Sequence, residues 1–226
     1  FDLYWSKPEE RRELMELFKA KNCGKPVHPS DTVDAFSLKP SIWSAVYRRD
    51  FLNRNTIRFL PTPGAAFQDA SFTYKVFALA DTAVYLHDSV LSYRQDNEGS
   101  SVNSPNKVHC VNDEYAEIHR WIVEDYAESH SSQDVAKLLR FANIIKYDSY
   151  MWSYIRLNPK FYAEFLDRMA QEFHGALEAH EFELTDLKPW KRANLKAIVD
   201  DPQKWLAESS DFASAGAMGR AKHYAR

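Results

Sequence analysis

The sequence turns on GAAFQDASFTYKVFAL, residues 64–79. Gly64 lies in PTPGAAFQD (61–69), whose prolines and glycine mark a loop. After Asp69 the apolar residues Phe72, Val76, Phe77 and Leu79 recur at helical spacing, which predicts a helix starting there. Asp69 then stands at the mouth of that helix. A carboxylate in this place has two readings. As an N-cap, its oxygen accepts N–H groups of the first turn. As a general base, it is held by a rigid element and open to a ligand. Capping alone would depress its pKa and weaken it as a base unless burial opposes.

Working outward, Ser6, Pro8 and Glu9 form a capping-box pattern. Leu14, Leu17 and Phe18 follow at helical spacing, so a first helix is expected, stopped by Asn22 and Gly24. Residues 25–40, with Pro26, Pro29 and Pro40, read as loop. A second helix is expected over roughly 41–54, with Ile42, Trp43, Val46 and Tyr47 as its apolar stripe and Arg48, Arg49 and Arg54 beside it. TIRFL (56–60) reads as a short strand, and AVYLH (83–87) and VLSYR (90–94) alternate like two more. QDNEGSSVNSPN (95–106) reads as a polar loop. Arg94 precedes the hydroxyls of Ser100 and Ser101, a set that suits a phosphate group; the alternative is a surface pair with Asp96.

From about residue 107 the texture changes. Helices are expected over 107–129, 133–148, 158–180 and 190–199, joined by short polar linkers such as SHSSQD (129–134). The tail SSDFASAGAMGRAKHYAR (209–226) is rich in Ala, Ser and Gly and is expected to fray. The chain therefore divides into a mixed first half, 1–105, and an all-helical second half, 106–226. The fold class is α/β, mostly helical.

Composition narrows the function. The chain has 226 residues, 45% hydrophobic and 14% aromatic, enough for a real core. A net charge of -3 gives no electrostatic case for nucleic acid. No apolar run approaches the ~20 residues of a membrane span. Cys23 and Cys110 stand far apart without a CxxC, which suits a reducing compartment and argues against a disulfide framework or a zinc site. The opening FDLYWS (1–6) reads as mid-protein, so a fragment is expected.

Several segments in order carry a resemblance: WSAVYRRDFL (43–52), then RF (58–59), then GAAFQDASF (64–72), then YR (93–94), then NEGSS (97–101). Together they resemble the C-terminal half of the catalytic domain of family 2 glycosyltransferases, which have the GT-A fold. The resemblance spans roughly 35–105. It implies that residues 1–105 are the acceptor-side half of a GT-A-like domain with a few short strands, and that 106–226 is a helical extension. It implies an inverting enzyme that moves a sugar from a nucleotide-sugar donor to a glycan or lipid-linked acceptor, in polysaccharide or cell-envelope glycan synthesis. Asp69 then takes the role of base. Gln68 replaces the family's more usual Glu beside it, Arg94 and Ser101 lie near the donor diphosphate, and Trp43 lies on the acceptor side. Mg²⁺ or Mn²⁺ is expected for the full-length enzyme, but no metal or other cofactor is expected in this chain.

No Asp-x-Asp occurs in the sequence, and no strand–helix alternation precedes residue 35. The donor half is therefore expected to be absent and the chain inactive by itself. A sheet lacking its other strands invites association, so a homo-oligomer is expected. The full-length protein is expected in the cytoplasm, peripheral to the membrane where the acceptor is lipid-linked, with no transmembrane segment. The alternative is a non-catalytic helical interaction or oligomerisation module. A weaker third reading is a sugar-binding protein using the aromatic residues of 147–166, which otherwise form a helix–helix core seam. His109, Asp113 and Glu117 share one helical face, either a metal set or a solvated polar face. His87 at a strand end is a candidate acid, and His180-Glu181 lacks the second His of a zinc protease helix.

Overall fold

The computed structural model describes residues 1–15, 23–61, 67–96 and 107–209. The chain forms two compact units, Phe1–Asn103 and Ser104–Arg226. Most described residues are helical, with a few short strands confined to the first unit.

The first unit opens with strands, where a helix was expected. β1 (Asp2–Trp5) pairs antiparallel with β2 (Arg11–Leu14), Tyr4 opposite Arg12 and Trp5 opposite Arg11. Both cross-strand pairs are cation–π contacts, with the Arg11 guanidinium 4.0 Å from the Trp5 ring and that of Arg12 5.1 Å from the Tyr4 ring. The capping-box pattern of Ser6 and Glu9 lies instead in the turn between them. Ser6 spends its N–H and hydroxyl on Asp96, 90 residues away, so neither is left to start a helix. Tertiary pairing has overridden a local signal. Leu17 and Phe18, also assigned to that helix, lie outside the described residues. Beyond them, β3 (Pro26–Val27) pairs with β4 (Ala83–Val84), which is shorter than the strand expected over 83–87. The strand expected near 90–94 is β5 (Ser92–Arg94), parallel to β1.

The second expected helix breaks in two. Ile42–Ser44 is a single 3₁₀ turn held by Ser41 and Ser44, and only α2 (Arg49–Arg54) is α-helical. α1 (Val33–Phe36) is one further turn. TIRFL forms no ladder, but Ile57 is buried against Phe72 and Val76. The helix expected after the loop is α3 (Gln68–Leu79). From Ser71 to Val76 every residue of α3 is buried, so it is enclosed on all sides. Ile42, Tyr47, Phe51 and Leu52 pack against its core residues.

The described residues of the second unit form helices joined by short turns. α4 (Cys110–Arg120) runs into a π-helical turn (Trp121–Tyr126), followed by α5 (Ser132–Tyr154), α6 (Tyr162–Glu178), α7 (Pro189–Asp200) and α8 (Pro202–Glu208). The ends follow local chemistry. Ser131 caps α5 by accepting the Asp134 N–H, Asp201 caps α8 by accepting that of Lys204, and proline opens both α7 and α8. α6 ends in a Schellman motif: His180 is left-handed at φ 54°, its N–H donates to the Leu177 carbonyl, and the Glu181 N–H donates to Ala176. Most aromatic residues of 147–166 form a core seam: Tyr147, Tyr150, Tyr154, Tyr162 and Phe165 are buried, while Trp152 is exposed.

Candidate functional site

Asp69 is the second residue of α3, half-buried in the first turn. The N-cap is Phe67, in the left-handed region at φ 62°, and its side chain caps nothing. An aromatic residue there holds roughly 1–2 kcal/mol of backbone strain, fixed in place by the buried helix that follows. Asp69 is therefore not the N-cap, and its carboxylate accepts the N–H of its own residue. Burial pushes its pKa up to about 6, against the lowering pull of its own backbone N–H and of the Lys39 ammonium. Asp69 in turn adds to the burial that raises Tyr47 above the ordinary phenol range. Tyr47 and Lys39 thus lie within electrostatic range of the Asp69 carboxylate, with half-buried Gln68 adjacent in α3. Tyr47 also packs edge-on against Phe72 of α3, at 5.4 Å between ring centroids.

The other residues read from sequence are placed differently. Trp43 stacks on Tyr93 at 4.5 Å with 10° between the planes and meets Phe1 edge-on at 4.6 Å. The Lys39 ammonium sits 5.3 Å from the Tyr93 ring and 5.8 Å from that of Phe1, joining this aromatic cluster to the surroundings of Asp69. Trp43 therefore has one ring face committed to Tyr93. Arg94 donates to Asp96 at 2.9 Å and to the Ser6 hydroxyl at 3.1 Å, and its side chain stays 55% exposed. Ser6 and Arg94 hold Asp96 well below the usual carboxylate range. This is the surface pair with Asp96, extended by Ser6 through the parallel pairing of β1 with β5. Ser100, Ser101 and Gly64 lie outside the described residues. Lys39, Tyr47 and Ser6 were not singled out as site residues from sequence. Tyr47 lay in the stretch YRRDFL, but Lys39 sits among prolines with no spacing signal, and Ser6 read as a cap.

The metal-face reading of the second unit gives way to ion pairs. His109 contacts Glu164, Asp113 accepts from Arg168 at 3.0 Å, and Glu117 accepts from Arg120 at 2.8 Å. Among the described residues no group of three or more His, Cys, Asp or Glu is arranged to hold a metal. The described residues therefore do not fit the Mg²⁺ or Mn²⁺ that the resemblance implies for a full-length enzyme. Cys23 and Cys110 form no disulfide, and His87 is exposed at the end of its segment.

Two charged clusters instead brace the helical bundle. Glu172 of α6 accepts from Tyr150, from Lys146 at 2.8 Å and from Arg168 at 2.9 Å. Burial alone would raise its pKa, but these three donors hold it below the usual range. Glu181, placed by the Schellman motif, meets His119 at 2.6 Å and Asn143 at 3.1 Å. The Glu181 hydrogen bond raises the His119 pKa against its own partial burial.

No protein-family model matches the chain, and no curated protein or solved structure matches it. Among the described residues no helix is long and apolar enough to cross a membrane.

Proposed function

We propose that the chain carries the acceptor-side half of an inverting glycosyltransferase that draws its sugar from a nucleotide-sugar donor, in the assembly of polysaccharide or cell-envelope glycan in the cytoplasm. The observation that supports this reading best is Asp69, a half-buried carboxylate at a strained helix entrance with its pKa pushed up to about 6. Such a group is ionised at neutral pH yet more basic than an ordinary Asp, which suits a general base. In this reading Asp69 takes the proton of an acceptor hydroxyl as that oxygen bonds to the anomeric carbon. The bond from that carbon to the diphosphate breaks, and configuration inverts. Tyr47, Lys39 and Gln68 orient the acceptor around the base.

Diphosphate binding falls in part to Arg94, whose half-exposed guanidinium is already fixed in direction by Ser6 and Asp96, and in part to Ser101. No Asp-x-Asp is present in these 226 residues. The reading therefore assigns metal and nucleotide binding to residues outside them, expects no turnover from this chain alone, and expects it to associate with itself.

The test is transfer of labelled sugar from a panel of nucleotide sugars by the gene product that carries this segment. Asp69→Asn should lower kcat ~10²–10⁴-fold with the fold intact, the usual worth of a general base. Unchanged turnover would remove Asp69 from the chemistry. With this chain alone, a thermal-shift titration should respond to acceptor saccharides and stay flat with nucleoside diphosphates and Mn²⁺. One observation favours a second reading, a non-catalytic helical interaction module: Arg94 and Trp43 are both engaged within the chain. Full retention of function in Asp69→Asn would support it.

A further inference from the structure

Exposed arginines in this protein are mostly matched by carboxylates. Arg11 pairs with Glu13 and Arg12 with Glu10, while Arg120 meets Glu117, Glu124 and Asp125. Residues 46–58 depart from that balance. Four arginines, Arg48, Arg49, Arg54 and Arg58, share this short stretch with one acid, Asp50, in a chain whose net charge is -3. Asp50 is divided between Arg48, at 2.9 Å, and Arg54, at 3.7 Å. Arg49 is exposed and has no ion-pair partner among the described residues. Arg58 donates to the carbonyls of Ile57 and Leu52 and to the Asn53 side chain, which anchors its guanidinium without neutralising it.

The same stretch carries an exposed apolar side chain. Val46, two residues before Arg48, is wholly exposed, at 101% of its reference area. The stretch is also well anchored, because Tyr47, Phe51 and Leu52 pack on the α3 core and Ile57 is buried. Their packing fixes α2 as a rigid platform for the arginines.

From this we infer that residues 46–58 form a docking surface for an anionic lipid bilayer. Headgroup phosphates match the unbalanced guanidinium groups, which make forked hydrogen bonds to phosphate oxygens and keep long apolar stems along the interface. Val46 distinguishes a bilayer from a soluble polyanion. An apolar side chain gains by entering the boundary between headgroups and acyl chains and gains nothing from a sulfated or phosphorylated polymer in water. No membrane-crossing helix is needed, because such contacts lie in the plane of the interface.

The experiment is co-sedimentation of this chain with phosphatidylcholine vesicles, with and without about 30% phosphatidylglycerol, at low and high salt. Each unbalanced charge near an anionic surface contributes about fivefold. The three net charges should therefore favour anionic over neutral vesicles by roughly a hundredfold at low salt, and most of that preference should vanish at ~0.5 M salt. Arg49→Gln with Arg54→Gln should lower binding roughly 25-fold, Arg49→Lys with Arg54→Lys should retain most of it, and Val46→Ser should weaken it a few-fold. All these side chains are exposed, and a far-ultraviolet spectrum confirms that the variants fold. Equal binding to neutral vesicles, or anionic binding that the Gln pair leaves unchanged, overturns the proposal. So does binding to dextran sulfate with none to vesicles, which would make the surface a polyanion site.

Discussion

Replacing Asp69 by Asn should make α3 more stable at neutral pH, although the same change is expected to remove a catalytic base. The folded protein raises this carboxyl from the usual 3.8 to about 6, chiefly by burial. Well below pH 3.8 the group is protonated in both folded and unfolded chains and costs nothing. As pH rises from 3.8 to 6 the unfolded chain loses its proton first, so folding stability falls through that window and stays lower above it. The rise corresponds to about 3 kcal/mol at pH 7.5. Asn is near-isosteric and uncharged, and escapes that cost. It gives up the favourable charge of a carboxylate in the first turn, about 0.5–1 kcal/mol. A net gain of about 2 kcal/mol remains, equal to a ~30-fold slowing of amide exchange in α3 at pH 7.5. Native-state hydrogen exchange on the α3 amides measures it directly, and repeating it at pH 3.5 should show almost no gain. An α3 that is no more protected in the variant at pH 7.5, or a gain that persists at pH 3.5, refutes the reasoning.

Other expectations concern the helical unit. Phe173→Ala, in a fully buried side chain of α6, should cost about 3–5 kcal/mol in urea unfolding. His119 has a raised pKa in the folded state, so its pairing with Glu181 should be fully present below about pH 6.5 and lost as pH climbs through the raised value. Thermal midpoints should therefore fall over that range, and His119→Gln should flatten the fall. His180 occupies a left-handed position that suits glycine, so His180→Gly should stabilise by about 1 kcal/mol, read as a higher melting temperature. Ser131→Ala should cost about 1 kcal/mol by removing the α5 cap.

The sequence by itself determined the helices whose information is local. α5, α6 and α7 have apolar residues at helical spacing, and local chemistry starts two of them, the Ser131 cap of α5 and Pro189 at the head of α7. α3 was legible too, because prolines and a glycine precede it in the sequence and Asp69 stands just before the apolar run. Each of these signals acts within about one turn, so the chain needs no distant partner to express it. The position of Asp69 at a helix mouth was legible for the same reason.

What surrounds Asp69, and what replaced the expected first helix, only the tertiary structure decided. Ser6 and Glu9 offer a helix start that loses to Asp96, because β1 gains a ladder on each side by pairing with β2 and with β5, some 90 residues later. Trp43 leaves its expected helix for a stack on Tyr93. The charges of Lys39 and Asp69, and of Asp69 and Tyr47, are felt across the fold, and no spacing in the sequence encodes that proximity. The pKa of about 6 likewise comes from burial by packed neighbours. Periodicity reports which face of an element is apolar, but the charge state of a carboxylate depends on how much water the assembled fold leaves beside it.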